Sequence, residues 1–196
     1  MQFQIHEYNY LKNFDDRIYE SKIDSRHRIE LLDKLNEIDD LNLYNHELAG
    51  DLEEEYELTH EKIGTLLYSN IENSIFQHLK NIVQNISQFE LSSLWVNYQK
   101  KNEYNPAHLH SGTFSFVWYL DIPEEIRQEH NQQKSYKHTK TRGLIQFSAN
   151  HSNDFIVLNP KTDDLLLFRA HHIHQVYPFY SDNTRISVSG NIIIKT

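Results

Sequence analysis

The spacing of apolar residues divides the chain into two parts with different periods. Between residues 61 and 86, apolar side chains recur every three or four positions and predict one long amphipathic helix: Ile63, Leu67, Ile71, Ile75, Leu79, Ile82 and Ile86. A shorter helix is predicted over residues 26–38, with Ser25 as its N-cap. The acidic run Glu53, Glu54, Glu55 and Glu57 is interpreted as the solvated face of a helix, because consecutive helical residues point in different directions.

From residue 91 onward apolar and polar positions alternate, which is the period of a β-strand. The clearest run is Phe114, Phe116, Trp118 and Leu120, and shorter segments with strand character follow at 143–148, 155–158, 165–168, 174–177 and 185–194. Such a series of short strands is typical of a sandwich or jelly roll. The polar stretch 124–141 is predicted to be a long surface loop.

These patterns predict a single domain over residues 1–196 of the α+β class, mainly β. Residues 1–90 would form a helical N-terminal elaboration, and residues 91–196 a cupin-like jelly-roll core, with the helices packed on one face. A chain of 196 residues with 38% hydrophobic and 24% charged residues is large enough to bury one core.

Charge and composition narrow the classes of function. The net charge of -9 argues against bulk nucleic-acid binding. Residues 1–91 hold 8 basic and 19 acidic residues, whereas residues 92–196 hold 11 and 9. No apolar run approaches the roughly 18 residues that span a bilayer, and the first residues lack a signal-peptide pattern, so we expect a cytoplasmic protein with no membrane partner. Because the chain has no Cys, metal chemistry falls to its 13 His.

Two histidines precede the strongest predicted strand, and a third follows a later one. His108 and His110 share one face of an extended backbone, so both imidazoles can meet one ion. The later segment contains His171, His172 and His174. We select His174 as the third metal ligand, and we interpret His171 and His172 as exposed or capping residues of the preceding turn. Imidazole suits Fe, Zn, Cu and Ni alike, so ligand type alone does not choose the metal.

Arg185 begins the last predicted strand, in which Arg185, Ser187 and Ser189 alternate with apolar residues. An inward-facing Arg in a β-sandwich is costly unless an anion meets it, and its planar fork suits a carboxylate. The alternative is an ordinary Arg at a strand start with its head in solvent. Tyr98 and Asn97, together with Trp95 and Tyr104, are candidates for lining the same pocket, although core packing explains each of them equally well.

As a set, the segments NPAHLHSGTFSFVWYLDIPEE, GLIQF, DDLLLFRAHHIHQVYPF and NTRISVSGNI resemble the iron(II)- and 2-oxoglutarate-dependent oxygenases. The similarity is strongest to the family found in bacteriophages and marine bacteria. It covers residues 92–196 and, more faintly, the segment LAGDLEEEY. It implies a double-stranded β-helix in which His108, His110 and His174 bind Fe(II), Arg185 anchors the 2-oxoglutarate tail, and Ser187 is its hydrogen-bonding neighbour.

The resemblance also implies an activity. Such an enzyme is a dioxygenase, which would hydroxylate an unidentified substrate, a protein side chain or a small molecule, and release succinate and carbon dioxide. Its partners would be dioxygen and that substrate. One departure is His110, which stands where the wider superfamily has a carboxylate ligand. The alternatives are a non-catalytic cupin-like module that binds a metal or a small acid, and a three-His dioxygenase that works without 2-oxoglutarate.

Overall fold

The computed structural model describes residues 2–7, 17–132, 140–149 and 153–196. Within these ranges the chain forms four α-helices, α1 (Ser25–Glu37), α2 (His60–Ile63), α3 (Thr65–Ile82) and α4 (Glu124–Gln132), and a short 3-10 helix (Asn45–Glu47). It also forms the strands β1 (Gln4–His6), β2 (Ile18–Lys22), β3 (Glu55–Glu57), β4 (Gln88–Gln99), β5 (Asn105–His108), β6 (Phe114–Asp121), β7 (Ile145–Ser148), β8 (Phe155–Leu158), β9 (Asp164–Arg169), β10 (His174–Val176) and β11 (Arg185–Lys195).

The strands form two antiparallel sheets. The larger has the order β1-β2-β9-β6-β11-β4-β3, and the smaller has the order β5-β10-β7-β8. Strands far apart in sequence are therefore neighbours in space, as in a double-stranded β-helix. The predicted mainly β fold with a jelly-roll core is confirmed.

Two apolar clusters define the layers of the molecule. One joins the inner faces of α1 and α3 to the larger sheet, through residues such as Leu31, Ile75 and Trp118. The other lies between the two sheets and includes Tyr119, Phe147 and Phe168. The alternation of β6 explains this arrangement, because Trp118 and Tyr119 are adjacent and point to opposite faces of the sheet. The helices thus cover one face, and the other face encloses the site described below.

The N-terminal half is less helical than the sequence pattern predicts. Among the described residues it contributes β1, β2 and β3 to the larger sheet as well as three α-helices. The predicted helix 61–86 is divided at Gly64, whose φ of 84° lies in a region that non-glycine residues seldom adopt. The N-cap of α1 is Asp24 rather than the predicted Ser25, and the Asp24 side chain accepts a hydrogen bond from the backbone N–H of Arg26.

The predicted loop 124–141 is partly wrong, because residues 124–132 form α4. This helix buries one apolar side chain, Ile126, which leaves no apolar period in the sequence. It starts after Pro123 with two acidic residues, a composition that favours a helix N-terminus. Residues 133–139 of the predicted loop lie outside the described residues. No helix among the described residues is long and apolar enough to cross a membrane.

Candidate metal centre and its pocket

His108, His110 and His174 converge at the end of the smaller sheet. One ring nitrogen of each lies within 4.8 Å of those of the other two. His108 ends β5 and pairs directly with His174, the first residue of β10. The backbone N–H of His110, just past β5, donates to the carbonyl of Ala170 at 2.8 Å, which holds this residue beside the chain that leads into β10. The sequence-predicted triad is therefore assembled by strand pairing.

Backbone carbonyls orient two of the three rings. Nδ1 of His108 lies 2.7 Å from the carbonyl oxygen of Pro106, and Nδ1 of His174 lies 3.0 Å from that of His172. A carbonyl oxygen only accepts, so in the neutral ring Nδ1 carries the proton and Nε2 presents its lone pair. Metal-binding histidines in proteins are commonly fixed by a second hydrogen bond of this kind.

Burial keeps the three imidazoles neutral. It lowers the pKa of His108, lowers that of His110 to about 4 with a further contribution from His108, and places that of His174 well below its usual value. A metal ligand must offer a free lone pair, so at neutral pH all three rings are in the state that binds a cation.

Arg185 lies in the wall of the same pocket and is almost completely buried. Its Nε donates to Oε1 of Gln99 at 3.0 Å, its Nη2 donates to the same oxygen, and its Nη1 donates to the carbonyl of Gly143 at 2.6 Å. These bonds use three of the five N–H donors of a guanidinium. The rings of Tyr119 and Phe179 flank the group, and burial lowers its pKa. Among the described residues no carboxylate forms a salt bridge with it.

Asn97, Ser187 and Ser189 also line this pocket. Asn97 and Ser187 are paired across β4 and β11, and Nδ2 of Asn97 lies 3.4 Å from Oγ of Ser187 and 3.3 Å from Oγ of Ser189. Tyr98, the other sequence candidate on β4, does not reach the pocket. Its ring packs against Tyr56 and the helix-side core, because neighbouring residues of a strand point to opposite faces.

Trp95 joins Asn97 in the pocket wall, whereas the exposed Tyr104 does not line it. The prediction that His171 and His172 are both exposed or capping residues is wrong for His172, which is fully buried. The ring of His172 packs against Phe147, and its carbonyl orients His174. Gln99, the partner of Arg185, was not predicted either.

The interpretation of the acidic run as a solvated helical face is wrong for the helix and for Glu55, whereas Glu53 is exposed as predicted. Glu55 begins β3, pairs with Asn97 across the strands, and lines the pocket with only 1% of its surface exposed. Burial raises its pKa to about 7, and the nearby Glu103 adds to the shift. No salt bridge links Glu55 to a cation in the part of the chain that the structure describes. The local sequence did not indicate this burial, because its four acidic residues look alike.

The sequence model of a family described as "Putative 2OG-Fe(II) oxygenase" matches residues 93–191. This chain belongs to that oxygenase family. It is a 2-oxoglutarate-dependent oxygenase whose cofactor is Fe(II) and whose cosubstrate is 2-oxoglutarate. The matched residues run from β4 into β11 and include the three histidines and Arg185. No curated protein matches the sequence.

Solved oxygenases share the fold at low sequence identity. A Pseudomonas putida prolyl-4-hydroxylase has a TM-score of 0.60 and 12% identity, over 91% of this chain and 93% of the other. The viral collagen prolyl hydroxylase of Paramecium bursaria Chlorella virus-1, in a 2-oxoglutarate complex, has a TM-score of 0.58 and 12% identity, over 89% and 94%. HygX of Streptomyces hygroscopicus, with nickel and 2-oxoglutarate bound, has a TM-score of 0.61 and 9% identity, over 89% and 82%.

The residues of the oxygenase pocket are chemically suited to both Fe(II) and 2-oxoglutarate. Three neutral imidazoles suit a first-row divalent cation such as Fe(II). A buried guanidinium with two N–H donors left beyond those bonded to Gln99 and Gly143 suits a carboxylate. Since none of the three imidazoles carries a negative charge, a metal held by them keeps its full positive charge, which favours binding of a dianionic cosubstrate.

Proposed function

We propose that this oxygenase is a hydroxylase in which His108, His110 and His174 hold Fe(II) and Arg185 binds the distal carboxylate of 2-oxoglutarate. Asn97 and Ser187 line the same cosubstrate site. When bound, the metal and the keto acid supply the oxidising power that transfers one oxygen atom of dioxygen into a substrate C–H bond, with the other atom leaving in succinate as carbon dioxide is released. The substrate would be a protein side chain or a small molecule.

The observation that carries this proposal is the pairing of a buried, unneutralised Arg185 with a neutral histidine triad in one pocket. Within the described ranges the hydrogen-bond partners of the guanidinium are an amide and a carbonyl, which do not compensate its charge, and an uncompensated charge is costly in a low-dielectric interior. A carboxylate ligand would remove that cost. The triad alone would suit many metalloproteins, but this combination suits a metal enzyme with an acidic cosubstrate.

The protein would hold the reacting groups in position and exclude water from them. The carbonyls of Pro106 and His172 hold two imidazoles in the tautomer that presents Nε2. Gln99 and Gly143 hold the guanidinium in place, so it loses little freedom when a carboxylate arrives. Apolar residues of the inter-sheet core, such as Phe168 and Ile145, form another part of the wall and keep water from the reacting groups.

The test is to measure succinate formed from 2-oxoglutarate in air by the purified protein loaded with Fe(II). We expect a slow basal conversion that requires both iron and 2-oxoglutarate, and that a substrate accelerates. The protein loaded with Zn(II), a cation that the same ligands bind but that has no redox chemistry, is the matched control and should form no succinate. Equal succinate formation with either metal, or none with iron, would overturn the proposal.

A further inference from the structure

Glu55 is a buried carboxyl group in the wall of the oxygenase pocket. Its Oε2 is fully enclosed and has no hydrogen-bond partner among the described residues. The two preceding acids behave differently, because Glu53 and Glu54 turn outward and lie 3.8 and 2.7 Å from Nζ of Lys100. Glu55 therefore has no cation of its own in the described part of the chain. It also lies outside the residues 93–191 that match the oxygenase family.

A second unpartnered acceptor lies beside it. Oδ1 of Asn105, at the start of β5, is also enclosed and lacks a hydrogen-bond partner among the described residues. The two side chains converge on Gly50. A Cβ added there would overlap Oδ1 of Asn105 and lie 3.0 Å from Oε1 of Glu55. The absence of a side chain at Gly50 thus allows two oxygen acceptors to approach the same point of the pocket wall.

The backbone fixes Glu55 on both sides. β3 pairs with β4, where Asn97 is its direct partner. On the other side the backbone N–H of Tyr44 donates to the carbonyl of Glu55 at 2.8 Å, and Oδ1 of Asn45 accepts from the Glu55 N–H at 3.4 Å. A carboxyl group held in this way has little freedom to swing into solvent. Its inward direction is a property of the fold.

Glu55 and Arg185 are buried ionisable groups of opposite sign that line the same pocket. Burial raises the pKa of Glu55 to about 7, since an ionised carboxylate loses its hydration there. A cation that binds beside it would restore the charged form and provide a strong, charge-assisted hydrogen bond. The nearby Glu103 carboxylate adds a second negative charge close to this position, which also favours a cation.

We propose that Glu55 and Asn105 recognise a cationic nitrogen of the substrate, so that the hydroxylated compound carries an ammonium or guanidinium group. This inference rests on the proposed function, and it assigns the substrate end of the same pocket. Arg185 would take the acidic cosubstrate, and Glu55 would take the basic substrate. The cosubstrate carboxylate would neutralise Arg185, and the substrate cation would pair with the ionised form of Glu55. The two ligands could not exchange places without bringing like charges together.

The probes are the N-acetyl amides of arginine and lysine, compared with that of citrulline, which has the length of arginine without its charge. Their binding to the protein loaded with Fe(II) and 2-oxoglutarate is measured by calorimetry without oxygen. We expect a cationic probe to bind at least about 10-fold more tightly than the citrulline probe, the factor that one charge-assisted hydrogen bond supplies. Glu55→Gln, which keeps the shape, should abolish this preference, whereas the exposed Glu53→Gln should retain it.

Two results would overturn the inference. One is that neither cationic probe binds better than the citrulline probe, which includes no binding at all. The other is that the preference survives Glu55→Gln while the variant still binds 2-oxoglutarate, the measure of an intact pocket. Failure of the proposed function looks different, because the parent protein would then form no iron-dependent succinate. If succinate forms and the discrimination is absent, only the assignment of Glu55 is wrong.

Discussion

Arg185 and Gln99 lie directly opposite each other on β11 and β4, and Oε1 of Gln99 accepts from Nε of Arg185 at 3.0 Å. The side-chain partner of this buried guanidinium is a neutral amide. A carboxylate at position 99 would neutralise the charge within the protein and leave nothing for a ligand. The amide instead fixes the direction of the guanidinium and leaves its positive charge available to a ligand.

We expect Arg185→Ala to weaken 2-oxoglutarate binding without removing the metal, since the guanidinium would meet the far carboxylate and not the ion. A charge-assisted pair contributes about 1.5 to 3 kcal/mol, or roughly 10- to 150-fold in affinity. Calorimetry on the metal-loaded variant measures this. Arg26→Ala, on the exposed surface of α1, is the control for loss of one positive charge. Unchanged 2-oxoglutarate affinity in a folded Arg185→Ala protein would refute the anchor assignment.

The distal ligand is tested by comparing His174→Ala with His171→Ala. Removal of one of three neutral nitrogen ligands leaves a weakly held ion, so we expect the iron content of His174→Ala to fall from about one per chain to a small fraction. His171 is exposed in the turn before β10, and its variant should keep the parent iron content. Metal analysis after gel filtration, with circular dichroism to verify the fold, provides the measurement. The reverse pattern would move the ligand to the turn.

His110→Asp tests the departure from the usual carboxylate. Aspartate replaces a neutral ligand by an anionic one at the same backbone position, so we expect the variant to retain iron and to form measurable succinate from 2-oxoglutarate. His110 in a purely structural role would give a different result, because a half-buried Asp without an ion would cost several kcal/mol of stability. Iron content, succinate and melting temperature are measured together. A variant whose melting temperature falls strongly whether or not iron is added would contradict ligation by His110.

Glu55 should make the stability of the metal-free protein depend on pH. With its folded pKa raised to about 7 from 4.5, the native state binds the proton more tightly than the unfolded state does, so this group's contribution to stability falls as pH rises from 4.5 to 7. Glutamine does not titrate. The free energy of unfolding of Glu55→Gln relative to the parent should therefore increase across this range, by up to about 3 kcal/mol.

Urea unfolding at pH 5 and pH 8 measures the effect. Glu53→Gln, which removes an exposed carboxylate two residues away, should give a difference from the parent that stays small at both values. A gap between Glu55→Gln and the parent that is the same at pH 5 and pH 8 would show that Glu55 ionises normally in the folded protein.

The alternation of residues along a strand was enough to predict which residues on the same strand face the pocket together. His108 and His110, two positions apart, and Arg185 with Ser187, also two apart, share a face on any extended backbone. The same rule would have excluded Tyr98, because it is adjacent to Asn97 and both cannot point inward. Naming both Tyr98 and Asn97 as pocket candidates overlooked this rule.

Other features depend on contacts between distant segments. Glu55 faces the pocket because β3 pairs with β4, and neither a period of two nor a period of 3.6 in residues 53–57 contains that information. α4 was missed because its only buried apolar residue, Ile126, gives no repeat. The division at Gly64 was missed because the apolar period continues on both sides of it.

The N-terminal half supplies both margins of the larger sheet, with β1 and β2 beyond β9 on one side and β3 beyond β4 on the other. A protein reduced to residues 91–196 would keep every proposed metal and cosubstrate ligand. It would also expose β4 and β9 as edge strands, whose backbone N–H and C=O groups are free to pair with another molecule. Such a fragment would associate with itself through these edges. The segment that carries Glu55 therefore has a second role, since it pairs with residues 95–97 of β4 and covers that part of the strand's edge.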